Sequence, residues 1–157
     1  MPTARESERM APKKHVFLSY YRDNAQEVAK LRDDLIAAGE TVWWDQDVLG
    51  GQDWKQEIRQ AMRDAYAVLL CLSREGAGRP MSGVNPEALD AIDLYRQYRT
   101  GEVFLIPVRL NDCQIPLIEI DGTRTLDRLQ TIDLFPPPRR GEGLARALRL
   151  LHAVVRV

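Results

Sequence analysis

Two hydrophobic periods divide the chain into alternating strands and helices. Continuous apolar runs are typical of strands that are buried on both faces, and such runs stand at 67–72 and 103–108. One shorter apolar stretch begins at His15 and another covers 41–44, and a weaker one covers 126–134. The pattern therefore predicts five strands, each bounded by polar, glycine or proline residues.

Between these strands the apolar residues recur at intervals of three and four, which is the period of an amphipathic helix. The first predicted helix covers 24–38, with Gly39 where a C-terminal cap belongs. A second helix begins at Asp53, which is a natural N-cap. Its predicted inner face carries Trp54, Ile58, Ala61, Met62 and Ala65. The remaining helices are predicted at 85–98 and 143–155.

Alternation of strands and helices at this spacing predicts an α/β fold, a parallel sheet with helices on both faces. A flavodoxin-like strand order is the simplest arrangement. The length of 157 residues, with 45% hydrophobic content, suits one domain with a sizeable core. We expect residues 1–13 to form a flexible polar leader and residues 14–157 to form the domain.

Charge and cysteine content argue against several classes of function. The formal net charge is −1, from 22 basic and 23 acidic residues, so nothing favours binding to nucleic acid or to an anionic membrane. Cys71 and Cys113 have no CxxC spacing, and the chain has 2 histidines, so neither a disulfide framework nor a metal site is predicted. No segment approaches the roughly 20 apolar residues of a membrane helix, and residues 1–14 lack a signal-peptide core. We therefore expect a cytoplasmic protein with no metal and no resident cofactor.

The carboxyl ends of the first two predicted strands are the expected functional site. The strand that opens at His15 runs into polar and aromatic residues at 19–24, and the second strand ends at Asp45. Gly50 and Gly51 follow, and a double glycine lets another chain or a phosphate approach the backbone closely. Ligands of open parallel sheets bind at the carboxyl ends of strands, near the point where the winding reverses. We therefore expect this loop to border a ligand.

Four sequence segments, taken in order, resemble the bacterial type of the Toll/interleukin-1 receptor, or TIR, family. They are Phe17-Leu18-Ser19-Tyr20, Val42-Trp43-Trp44-Asp45, Gly50-Gly51-Gln52-Asp53-Trp54, and Leu70-Cys71-Leu72-Ser73 followed by Glu87. The likeness extends from about Lys14 to the C-terminus. It implies a five-stranded parallel sheet, a mobile loop after the second strand, assembly with other TIR domains and, in many prokaryotic members, cleavage of NAD.

Glu87 matches the catalytic glutamate of the family, which lies near the start of the helix after the third strand. The resemblance implies that its carboxylate stabilises the positive charge that develops on the ribose as the bond to nicotinamide breaks. By spacing alone, the commoner interpretation is a solvated acid in a first helical turn, where it interacts favourably with the helix dipole. The resemblance favours catalysis over that alternative.

Residues of the first two motifs are expected to seat the nucleotide. The resemblance implies that Ser19, Tyr20 and Arg22 line the pocket, and a bidentate Arg22 suits a pyrophosphate. The alternative is that Tyr20 packs in the interior and Arg22 pairs with a surface acid. Asp45 either binds a ribose hydroxyl or caps the loop that follows it.

The tryptophans and two glycines complete the set of candidate residues. Trp43 and Trp44 point to opposite faces of their strand, so at most one of them reaches the cleft. Trp54 is assigned to the core stripe of its helix, with base stacking as the alternative. Gly50 stands where a proline often precedes the loop glycine of the family. Gly83 stands where several active relatives have tryptophan, which removes an aromatic wall of the nicotinamide pocket.

The resemblance leaves two functions open. In the first, the chain is an NAD glycohydrolase that consumes NAD as substrate and releases nicotinamide with ADP-ribose or a cyclic isomer. In the second, it is a non-catalytic scaffold that assembles with other TIR domains through the glycine loop and transmits a signal. An NAD-cleaving enzyme also needs a silent resting state and a trigger, such as a sensor domain or a co-encoded protein. Antiphage defence by NAD depletion is the role that the resemblance implies.

Overall fold

A five-stranded parallel sheet forms the centre of the computed structural model, which describes residues 12–47, 54–77, 86–98 and 102–154. Along the chain the strands are β1 (His15–Ser19), β2 (Val42–Trp43), β3 (Ala65–Leu72), β4 (Leu105–Arg109), β5 (Glu119–Asp121), β6 (Arg124–Thr125) and β7 (Ile132–Asp133). The order across the main sheet is β2-β1-β3-β4-β7, and β5 pairs with β6 in a separate antiparallel hairpin. The predicted flavodoxin-like arrangement is confirmed.

The helices occupy the regions that the apolar period predicts. They are α1 (Ala25–Ala37), α2 (Trp54–Arg63), α3 (Arg74–Ala77), α4 (Pro86–Tyr95) and α5 (Arg140–His152), of which the short α3 was not predicted. Gly39 follows α1 with a φ of 96°, a conformation that glycine adopts without steric cost. The predicted cap of the first helix is therefore confirmed.

The strand predicted at 126–134 is wrong in its extent. Ile132–Asp133 pairs with β4, whereas Leu126–Arg128 forms a 3-10 turn. The amide of Leu126 donates to the carbonyl oxygen of Ile118 at 2.9 Å, so Leu126 is held against the β5–β6 hairpin. Sequence reasoning missed this hairpin because its strands contain 3 and 2 residues, too few for a period to be read.

Helices cover the sheet on both faces, as the continuous apolar runs predict. All 8 residues of β3 are buried. Leu31 and Leu35 of α1 pack in one layer with residues of α5, and Met62 of α2 packs in the other layer with Ile92 of α4. Burying a leucine or isoleucine side chain stabilises a fold by about 1.5–3 kcal/mol, so these two layers are the main source of stability.

Trp43 and Trp44 lie on opposite faces of the sheet, as predicted. Trp43 stacks on Phe17 with ring centroids 5.0 Å apart, in the layer beneath α2 and α4. Trp44 packs in the layer beneath α1 and α5, where the guanidinium of Arg32 lies 5.3 Å from its ring centroid. Both rings therefore contribute to packing.

The assignment of Trp54 to the core stripe is wrong. Its side chain is 49% exposed, and residues 54–57 are all exposed, because α2 meets the sheet only from Ile58 onward. Ile58, Ala61 and Met62 are buried, as predicted for the inner face. Ala65 is also buried, but as the first residue of β3.

The two cysteines are free and buried. Burial raises the pKa of the Cys71 thiol to about 12, and burial also raises the pKa of Cys113. A thiol held in its neutral form is a poor nucleophile, so Cys71 is a packing residue. Among the described helices, none combines the length and the apolar character that crossing a membrane requires.

Candidate functional site

Polar side chains from β1 and β2 meet at the carboxyl edge of the sheet. Because β1 and β2 are parallel neighbours, Tyr20 after β1 and Asp45 after β2 emerge on the same side. The phenol of Tyr20 donates a hydrogen bond to Oδ1 of Asp45. The side-chain amide of Gln46 donates to the phenol oxygen at 3.4 Å. The two strand ends that were predicted to form the site are therefore joined directly by side chains.

Arg22 also faces Asp45. Its Nη2 atom lies 3.8 Å from Oδ2 of Asp45, with the Arg22 side chain 90% exposed and the Asp45 side chain 30% exposed. An exposed ion pair at this separation contributes only about 0–1 kcal/mol, so an anionic ligand can displace it at little cost. Arg22 thus has a surface acid as its resting partner, as the alternative interpretation held, and remains accessible to a phosphate.

The site keeps the Tyr20 phenol protonated. Burial raises the pKa of Tyr20 above its usual value, and the hydrogen bond to Asp45 raises it further, because the ionised phenolate would face a carboxylate. Tyr20 is 8% exposed and packs against Trp44, with ring centroids 5.9 Å apart. Tyr20 therefore acts as a hydrogen-bond donor that fixes Asp45, and it combines the packing role with the polar role.

Ser19 and Trp54 occupy contrasting environments. Ser19 is the last residue of β1 and is 2% exposed, so its hydroxyl lies within the packed end of the strand. The ring of Trp54 is half-exposed, and the ammonium of Lys55 lies 5.6 Å from its centroid. An exposed indole at the head of a helix is free to stack on a nucleobase or on a partner protein.

The remaining predicted site residues lie partly or wholly outside the described part of the chain. Glu87 is the second residue of α4, so its backbone stands in the first helical turn as expected, but its side chain is not described. Gly50 and Gly51 fall outside the described residues, and so does Gly83. Their roles stay predictions.

A second polar group at this edge was missed by sequence reasoning. The hydroxyl of Ser73, which follows β3, donates to Oδ1 of Asn24 at 2.6 Å, and both residues are buried. The amide of Gly76 donates to the Ser73 hydroxyl at 3.1 Å. The sequence signal that could have identified Ser73 is its position directly after a fully apolar strand, because such a residue lies at the carboxyl edge of a parallel sheet.

Within the described ranges, no three histidine, cysteine, aspartate or glutamate side chains gather in a group that could hold a metal ion. The group at the ends of β1 and β2 instead offers a carboxylate, a guanidinium and a protonated phenol, from Asp45, Arg22 and Tyr20. This donor set suits a ligand that carries phosphates and hydroxyl groups.

Tyr20→Phe is expected to lower the free energy of unfolding by about 1.5 kcal/mol, because the half-buried Asp45 loses the hydrogen bond that the phenol donates to it. The raised pKa of Tyr20 gives a pH signature. The stabilisation is fully present below about pH 10, the usual tyrosine pKa, and declines as the pH rises towards the higher pKa of the folded state. Urea unfolding at several pH values measures both effects, and equal stability of the two proteins at neutral pH would contradict the role of the phenol.

The fold and the edge define a doubly wound α/β domain with polar side chains at the carboxyl ends of β1 and β2, beside the β1/β3 boundary where the winding reverses. The chain matches the family model of the TIR domain over residues 16–148, and it belongs to that family. The resemblance inferred from the sequence motifs is therefore confirmed at the level of family and fold.

Solved structures of TIR-containing proteins share this fold. The TIR domain of the Toll-related receptor TRR-2 from Hydra magnipapillata is 15% identical, with a TM-score of 0.64 over 87% of this chain and 97% of that one. A TIR-STING receptor from C. gigas in complex with 2′,3′-cGAMP is 23% identical, with a TM-score of 0.66 over 86% of this chain. A second structure of a C. gigas TIR-STING receptor is 21% identical, with a TM-score of 0.60 over 91% of this chain. This chain covers 39% and 41% of the length of those two receptors. A comparison with proteins of curated function finds no match.

Proposed function

We propose that this TIR domain is an NAD glycohydrolase that cleaves the bond between nicotinamide and ribose. The observation that carries the proposal is the group formed by Tyr20, Arg22 and Asp45 at the carboxyl edge of the sheet. It lies where parallel α/β sheets bind ligands, and it combines a cation for phosphates with hydrogen-bonding groups for hydroxyls. The membership of the TIR family and the position of Glu87 in the first turn of α4 support the same activity.

In this reaction the protein needs to position NAD and to stabilise the charge that develops on the ribose. As the C–N bond breaks, its electron pair moves to the pyridinium nitrogen, so nicotinamide leaves as a neutral molecule. The ribose develops positive charge, which the Glu87 carboxylate would stabilise. Water then adds to the ribose carbon and releases one proton to solvent, giving ADP-ribose, whereas attack by a group of the same nucleotide gives a cyclic isomer. NAD is therefore consumed as a substrate, and the reaction involves no oxidation or reduction.

Each described residue of the site has a role under this proposal. Arg22, which is held only weakly by Asp45, would turn to the pyrophosphate of NAD. Asp45 keeps the end of β2 next to Tyr20 and offers Oδ2 to a ribose hydroxyl when Arg22 moves away. The half-exposed ring of Trp54 is available to the adenine base.

Self-assembly and a trigger would control this activity in bacterial immunity or signalling. The C. gigas relatives are receptors, and one of them is in complex with a cyclic dinucleotide. A sensor of that general kind, on the same chain or on a partner protein, would bring several TIR domains together. A head-to-tail contact between copies would then extend into a filament.

A non-catalytic scaffold is the second candidate function. It is favoured by the exposure of three large apolar side chains, 43% for Ile36, 49% for Trp54 and 84% for Leu117. They lie on different parts of the surface, since Ile36 belongs to α1, Trp54 begins α2 and Leu117 precedes β5. A neighbouring TIR domain could cover any of these side chains with no chemistry required, and a head-to-tail contact of this kind would extend into a filament.

Nicotinamide release from NAD tests the two candidates directly. The concentrated protein is incubated with NAD and a crowding agent, and light scattering establishes that it has assembled. We expect nicotinamide to accumulate in proportion to time and protein concentration. An assembled protein that releases none contradicts the enzyme and leaves the scaffold.

A further inference from the structure

A buried polar pair links the turn that carries Arg22 to the exit of β3. Asn24 ends the 3-10 turn Arg22–Asn24 and is 2% exposed, and Ser73 directly follows β3 and is 3% exposed. Their side chains are joined by the 2.6 Å hydrogen bond from the Ser73 hydroxyl to Oδ1 of Asn24, although 49 positions separate them in the sequence. Buried polar groups are costly unless paired, so this bond holds the two strand ends in one relative position.

The same pair also holds α3, the short helix that follows β3. The amide of Gly76 donates to the Ser73 hydroxyl at 3.1 Å. The ring of Tyr21 lies against the Cα of Gly76, so closely that an added Cβ would come within 2.1 Å of the ring. Tyr21 belongs to the β1 exit, and α3 is thus fastened to that exit by both a hydrogen bond and packing.

A residue that follows β4, Asn111, also holds α3 in place, through two hydrogen bonds. The side-chain oxygen of Asn111 accepts a hydrogen bond from the Arg74 amide at 2.9 Å, and its amide nitrogen donates to Glu75 at 2.9 Å. The hydrogen bond from Asn111 lowers the pKa of Glu75 below its usual value and so keeps this carboxylate ionised. Residues from three neighbouring strand ends therefore hold α3 in place directly after β3.

We infer that Asn24 and Ser73 form a positioning pair for NAD cleavage, which holds the Arg22 turn in a set position against the exit of β3, the strand that precedes the helix of Glu87. This role rests on the proposed function. NAD has a fixed covalent separation between its pyrophosphate and its nicotinamide ribose, so a residue that binds one and a residue that acts on the other must keep matching positions. A misplacement of about 1 Å can reduce the rate by about 100-fold.

Ser73→Ala tests the pair, with Tyr66→Phe as the matched control. Ser73→Ala removes the hydroxyl that bonds both Asn24 and Gly76. Tyr66→Phe removes an equally buried hydroxyl, which donates to Glu40 at 2.5 Å near the start of β3, at the opposite end of the strand. We expect both variants to lower the melting temperature similarly, and Ser73→Ala alone to lower kcat and raise KM for NAD, with a combined loss of about 10- to 100-fold.

Ser73→Thr, which keeps the hydroxyl, is expected to restore KM towards that of the wild type. If Ser73→Ala does not fold, Asn24→Ala replaces it, because it removes the Oδ1 acceptor while the Ser73 hydroxyl keeps its bond from Gly76, and we expect the same loss in kcat and KM. Equal kinetic losses in Ser73→Ala and Tyr66→Phe would overturn the positioning role and leave the proposed function intact. A wild type that does not cleave NAD would instead remove the proposed function, and the positioning role with it.

Discussion

Glu87→Gln is expected to reduce nicotinamide release from NAD on the order of a thousandfold, with little change in stability. Glutamine has nearly the same shape as glutamate but carries no negative charge, so it cannot stabilise the positive charge that develops on the ribose. The loss should fall on kcat, because the interaction is made mainly in the transition state. Steady-state kinetics under assembling conditions measures it, and light scattering establishes that the variant assembles like the wild type.

Asp90→Asn is the matched control for this prediction. Asp90 is an exposed acid on the same helix, α4, three residues beyond Glu87, and it undergoes the same change of charge. We expect its kcat and KM to remain within about twofold of the wild type, as is usual for surface substitutions away from a site. If Glu87→Gln retains full activity, the glutamate is no more than a first-turn acid, and the catalytic carboxylate must be sought elsewhere.

Gly143→Ala is expected to lower the free energy of unfolding by about 3 kcal/mol, which corresponds to a fall of about 10 °C in the melting temperature. Gly143 lies on the buried side of α5, where a Cβ would come within 2.0 Å of the carbonyl oxygen of Asp133 in β7. That oxygen belongs to the backbone of a strand in the main sheet, so neither partner can move aside without shifting α5 or β7. Urea and thermal unfolding measure the loss.

Gly141→Ala provides the opposite expectation two residues earlier in the same helix. A Cβ at Gly141 meets no atom within 4 Å, and the residue is exposed. Alanine restricts the unfolded chain more than glycine does, so this variant should be more stable by roughly 0.5 kcal/mol. A loss of stability at Gly141 as large as that at Gly143 would show that the contact with β7 is not the cause of the loss at Gly143, because helix propensity favours alanine at both positions.

Much of the fold could be predicted from the sequence because the local spacing of apolar residues depends directly on which side chains are buried. The apolar run at 67–72 marks a strand covered on both faces, and residues 28, 31 and 35 mark the inner face of α1. Errors arose where the signal was short or ambiguous. The hairpin of β5 and β6 was too short to be read, and Trp54 has the spacing of a core residue although the helix extends beyond the sheet at that point.

The sequence by itself determined the family, the order of the five main strands and the helices between them, and which strand ends would carry neighbouring polar side chains, because motifs and hydrophobic periods are local properties. Only the tertiary structure decided which side chains are partners there. Tyr20 and Asp45 are 25 positions apart, and Asn24 and Ser73 are 49 apart. Such pairs depend on strand order and register, which arise from the packing of the whole sheet. No local pattern contains them, and for that reason the polar edge of the sheet could be predicted from the sequence while the bonds between its side chains could not.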